Sequence, residues 1–271
     1  MKNKNMRVAM LLVPSVVCVA TTDCHAGELV REIQKQQTEL PIVNKDQVMQ
    51  NVFKNYNNLN IEVKDTLDIL WHNDAGNLLL RRLHNVIKDD AQRITILWDT
   101  CDEDDDSNYF RYKDSSILLH KDKFVDYAVY SNKKIEAFPE QLDTVLFHEL
   151  CHALHNLEYT IACNQHKIIP TFYKLSDKDS TCQEICRAWT DDEEIHTITG
   201  WYIDNNEMPK FDCLNTNSYM ILDALKDKIK PEKIVQRVFH YDYWSASVFT
   251  EEDTTRHLDE LVIPLEKYVD V

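Results

Sequence analysis

Apolar positions recur with helical spacing through the first third of the chain. Residues 28–60 form a polar helical pattern that ends at the linker-like NYNNLN (55–60). The period returns over 64–90, with a bend predicted at HNDAG (72–76) and a resumption through NLLLRRLHNVI. The runs then shorten and become β-branched and aromatic: RITILWDT (93–100), SSILLH (115–120) and VDYAVY (125–130) have strand length and composition. The acidic CDEDDDSNYF between the first two predicts a solvated hairpin tip, because the glycine and terminal glutamate of an EF-hand loop are missing. From Pro139, placed at a first helical position, to Leu157 no glycine intervenes. At about 100° per residue, Leu142, Leu146, Leu150, Ala153, Leu154 and Leu157 make one apolar stripe. The predicted fold is α+β and a single domain over 27–271. A helical part (27–90) precedes a catalytic part (91–271), in which a small, mostly antiparallel sheet packs on the 139–157 helix and the C-terminal portion is helical.

Beside that stripe lie His148, Glu149 and His152, the HExxH of LFHELCHALHNL. Four residues apart on a helix, the two imidazoles share one spot. Two nitrogen ligands with a carboxylate beside them suit a catalytic zinc and its general base. The competing interpretation is an amphipathic core helix that happens to carry histidines. Catalytic zinc needs a third protein ligand. In metzincin spacing it would fall at 158, which is Glu158 here. His155 lies roughly 10 Å along the axis from His148 and reads as rim or outer support. DDEEIHTITG (191–200) therefore supplies the candidate, a short helix with acids at its start and Gly200 as its stop. Glu193 and Glu194 both qualify; Glu193 shares a face with Thr197.

Composition narrows the classes. Of 271 residues only Gly27, Gly76 and Gly200 are glycine, which excludes a P-loop or dinucleotide fingerprint. A net charge of −16 argues against nucleic acid or an anionic membrane as partner. MKNKNMR, then the apolar VAMLLVPSVVCVA (8–20), then CHA (24–26) has signal-peptide order; cleavage is expected after Ala26, with Ala20 the alternative. Residues 1–26 are thus predicted to direct secretion, and no later run is long enough for a membrane anchor. Beyond Ala26 six cysteines remain, an even number that permits disulfides in an exported chain. Cys151, inside HELCH, is expected to pack.

FHELCHALH, EEIHTITG some forty residues on, LNTNSY (214–219) and QRVFHYDY (236–243) follow in an order that resembles the NleD-type effector metallopeptidases over roughly 93–245. That resemblance implies a zincin fold and a Zn2+-dependent endopeptidase delivered to a host cell. The substrates it implies are intracellular host proteins, stress-activated protein kinases for some members. It matches His148 and His152 to the histidine ligands and Glu149 to the catalytic acid. Glu193 is the expected third ligand, since Thr197 one turn later would then support it from behind. Tyr219 is the expected donor to the transition-state oxyanion, with Tyr202 and His240 behind it. Two rivals stand beside this expectation: a non-catalytic secreted binding module, and a zinc amidohydrolase acting on cell-wall amides.

Overall fold

One asparagine ends a helix and begins the next. In the computed structural model, which describes residues 26–98, 108–120, 126–131, 134–139, 141–166, 192–203, 209–230 and 233–240, helix α3 (Ile61–His72) runs into α4 (Asp74–Val86) through Asn73 alone. The Asn73 N–H donates to the Ile69 and Leu70 carbonyls, and its side chain accepts from the N–H groups of Ala75 and Gly76. Gly76 permits the tight corner, since a Cβ there would lie 2.2 Å from the Leu70 carbonyl oxygen. This corner is the bend expected at HNDAG. Helices α1 (Ala26–Glu39) and α2 (Lys45–Val52) precede it, and Asn44 and Asn60 cap α2 and α3. NYNNLN holds a single 3-10 turn, Tyr56–Asn58. Leu29, Val48, Leu67, Leu70 and Leu79 are fully buried, in one core with Leu146, Leu150 and Leu154 of the HExxH helix.

Among the described residues, three small sheets follow. β1 (Thr95–Trp98), β2 (Tyr109–Arg111) and β3 (Ser116–Leu119) lie in the order β1-β3-β2. β1 pairs parallel with β3, and β2 antiparallel. The hairpin expected between β1 and β3 is corrected accordingly: β2 and β3 form it, and β1 joins the far edge of β3. The acidic residues 101–107 lie outside the described residues. β4 (Asp126–Ser131) sits between β5 (Lys134–Pro139) and the late strand β8 (Gln236–His240), antiparallel to both. Pro139 closes β5, and the helix that follows it, α5, spans Leu142–His166. The expectation of Pro139 as a first helical residue is therefore corrected, for the chain pairs with β4 up to that point.

Helix α6 (Asp192–Thr199) ends at Gly200, where φ is +82° and the N–H returns to the His196 carbonyl at 2.8 Å. The hairpin β6 (Trp201–Ile203) and β7 (Pro209–Phe211) leads to helix α7 (Thr216–Lys226). The C-terminal portion thus mixes strands with helices. The molecule is α+β, with small mixed and antiparallel sheets beside mostly helical structure. Leu146, Leu150, Ala153, Leu154 and Leu157 are buried as the stripe predicts, and α5 touches α3, α4, β2, β3, α6 and α7. No helix among the described residues is long and apolar enough to cross a membrane. Residues 1–25, and with them nearly all of the predicted signal segment, lie outside the described residues.

Candidate metal centre

His148 and His152 are brought together by one turn of α5, and α6 lays a carboxylate against both. The two Nε2 atoms are 2.9 Å apart. Glu194 places Oε1 at 3.4 Å from His148 Nε2 and Oε2 at 3.1 Å from His152 Nε2. All three side chains are buried. Donor atoms about 2.0–2.1 Å from a tetrahedral zinc lie roughly 3.3–3.4 Å from one another. The observed triangle is within a few tenths of an ångström of that size. The imidazole planes cross at 88°. The three residues could hold a metal ion.

Among the described residues a second group, His155, His196 and Asp212, also brings ligand-type atoms within 4.8 Å of one another. Its geometry is different. The two rings are stacked with centroids 4.0 Å apart and planes 6° from parallel. Lone pairs in two parallel, stacked planes do not converge, so both imidazoles cannot ligate one ion. Asp212 is also engaged by the Arg82 guanidinium at 3.5 Å. This second group is a packed polar wall, which Tyr202 extends with its ring 4.5 Å from that of His196.

Among the described side chains the carboxylate at the imidazoles is that of Glu194, the alternative to the expected Glu193. Adjacent helical residues point about 100° apart, and only one of the pair can face the histidines. The Glu193 side chain lies outside the described ones. Thr197, expected to support the site from behind, places Oγ1 at 3.4 Å from His152 Nδ1 and 3.2 Å from His155 Nδ1. His155 is not a member of the triangle. Thr216, the first residue of α7, stands 3.1 Å from His148 Nδ1 and donates to the Thr197 carbonyl at 3.1 Å.

Glu149 is buried on α5 between the two histidines in sequence. Burial pushes the His148 pKa down to about 3; Glu194 pulls the other way, and Arg237 and His152 add to the depression. His148 is thus a neutral imidazole, the form that ligates a metal. Arg237, on β8, is almost fully buried, and its charge acts on His148. Asn217 holds the backbone of Arg237 from both sides, accepting from its N–H at 2.7 Å and donating to its carbonyl at 2.9 Å.

The Tyr219 hydroxyl donates to Asp143 at 2.6 Å and its ring stacks on Phe147 at 4.6 Å, so Tyr219 braces α7 against α5. The His240 side chain lies outside the described ones. Cys151 and Cys213 are buried thiols, consistent with packing for Cys151; Cys101, Cys182 and Cys186 lie outside the described residues, and the Cys163 side chain lies outside the described ones. Sequence reasoning missed Thr216 and Arg237 as individuals, although both stand in stretches it had singled out, LNTNSY and QRVFHYDY. No protein-family model, curated protein or solved structure matches this chain.

Proposed function

We propose that this chain is a zinc-dependent endopeptidase of zincin type, acting on a protein substrate outside the cell that makes it. The observation that carries the proposal is the convergence of His148, His152 and Glu194, from helices some forty residues apart in sequence, with Glu149 beside them. A core helix without such chemistry has no use for two buried imidazoles and a buried carboxylate directed at one point. Bound zinc would supply Lewis acidity and an acidified water. Glu149 takes the proton of the attacking water and returns it to the leaving amine. Arg237 replaces Tyr219 as the group that answers negative charge developing at the scissile carbonyl; its charge already acts on His148 from within the buried site.

Purified protein should carry one equivalent of zinc per chain, measured by elemental analysis. Glu149→Gln should keep the metal and the thermal unfolding midpoint while losing casein hydrolysis by several orders of magnitude. Full activity in that variant ends the peptidase proposal. Zinc without cleavage of any protein, but with release of cell-wall fragments, would move the substrate to a wall amide.

A further inference from the structure

The fold surrounds the centre with hydroxyls at the two nitrogens that would not face a metal. Thr216 is fully buried at the first position of α7, inside a turn built to hold it. The Asn215 side chain accepts from the Ser218 N–H at 2.9 Å and donates to the Asp212 carbonyl at 2.7 Å. Thr216 therefore presents its hydroxyl in a fixed direction. That hydroxyl has one proton, and the Thr197 carbonyl, 3.1 Å away, takes it. A carbonyl has no proton to offer in return, so the direction of this bond is settled. What remains on Thr216 Oγ1 is a lone pair, and it faces His148 Nδ1 at 3.1 Å. Only an N–H can satisfy it.

We propose that Thr216 is a positioning residue of the metal centre. By accepting from His148 Nδ1–H it fixes that imidazole as the Nδ1–H tautomer, with the Nε2 lone pair aimed at Glu194 and His152. The assignment rests on the zinc proposal for its purpose, and on the hydrogen-bond directions for its geometry. It gives LNTNSY a role: the stretch selects which nitrogen of the first ligand stays bare. The same turn serves the arginine, because Asn217 next to it clamps the backbone of Arg237. His152 faces the hydroxyl of Thr197, which also stands 3.2 Å from His155 Nδ1. For His148, the bond from Thr216 to the Thr197 carbonyl sets the proton. A tautomer fixed by an outer hydrogen bond raises metal affinity because no proton must move before the ion is held.

The test compares Thr216→Val, which keeps the shape and loses the hydroxyl, with Thr216→Ser, which keeps the hydroxyl. Zinc affinity is read by competition with a chromophoric chelator, and histidine tautomers by long-range proton–nitrogen correlation spectra with and without zinc. Thr216→Val should weaken zinc binding on the order of 10–100-fold, while Thr216→Ser stays within a few-fold of the parent. The His148 ring should show the Nδ1–H pattern in the parent and the serine variant and lose it in the valine variant. A folded Thr216→Val chain that binds zinc as tightly as the parent overturns the proposal. So does an Nε2–H pattern for His148 in the parent, which decides the matter even if the valine variant does not fold. A parent chain that takes up no zinc at all would remove the zinc proposal, and the tautomer spectrum would still judge Thr216 separately.

Discussion

Arg82 grips Glu158 with both ends of its guanidinium fork, Nη2 lying 2.6 and 2.7 Å from the two carboxylate oxygens and Nε 3.1 Å from the nearer. Position 158 is where a metzincin would carry its third histidine; here it ties α5 to α4. Arg82 also reaches Asp212 at 3.5 Å, so one cation joins three segments. Burial works against the charge on Arg82, and Asp212 and Glu158 more than offset it, raising its pKa. Arg82→Met should destabilise the chain by about 2–3 kcal/mol in urea unfolding, because two carboxylates lose their partner while only partly open to water.

The pH dependence of that tie has a definite sign. Burial alone would raise the Asp212 pKa, but Arg82, helped by His196 and the Leu214 N–H, holds it below the ordinary carboxylate range. A group depressed in the folded state stabilises above its unfolded pKa, about 3.9, and that contribution is lost as pH falls through the folded value. Urea midpoints should therefore be insensitive to Asp212 above about pH 4 and fall below it. Arg82→Met should weaken that acid-side step.

Tyr219→Phe separates a brace from a catalytic donor. The ring and its stack on Phe147 remain, while the bond to Asp143 is lost. Stability should fall by about 1–2 kcal/mol, with hydrolysis changed by no more than a few-fold. A loss of about 10²–10³ in turnover with stability unchanged would return Tyr219 to the oxyanion role.

The third ligand is decided by two neighbouring substitutions. Glu194→Ala should weaken zinc binding by more than the roughly 10–100-fold typical of losing an outer partner, and Glu193→Ala should change it little. Chelator competition on both purified variants checks this. Loss of zinc in the Glu193 variant alone would reverse the assignment.

Gly200→Ala should cost at least about 2 kcal/mol, since a left-handed φ is joined to a backbone collision. The added Cβ would lie 2.3 Å from the Asp212 carbonyl oxygen and 2.5 Å from Asn215 Nδ2. The midpoint of thermal unfolding measures the effect.

Periodicity made the helices legible because α3, α4 and α5 each bury one face. The corner at Asn73, the Gly200 stop and the apolar stripe of α5 followed from capping and spacing alone. Strand identity was readable and strand partnership was not. β1 and β3 resemble a hairpin in sequence, and nothing local reveals that β2 intervenes or that β8 crosses back to β4. The histidine pair was legible because both residues lie on one helix, four apart. Which of Glu193 and Glu194 faces them was not, because helical phase against a distant helix depends on how α6 rolls against α5. The Thr197 hydroxyl has two imidazole nitrogens beside it. Thr216 and Arg237 belong to segments far along the chain, where only tertiary packing shows what a threonine or an arginine meets.

Gly200 and Asp212 are joined by a backbone hydrogen bond of 2.8 Å, which closes the segment between α6 and α7 upon itself. Glu194 and Thr197 ride on the helix that enters this junction, and Thr216 on the helix that leaves it. The alignment of Glu194 and Thr197 with Thr216 is therefore machined locally. Positional error accumulated along the rest of the chain does not enter it, because the two helices are referenced to each other at one bare glycine. Length changes between Ile203 and Pro209 would leave that reference intact, whereas a single added methyl at Gly200 would throw both helices out of true.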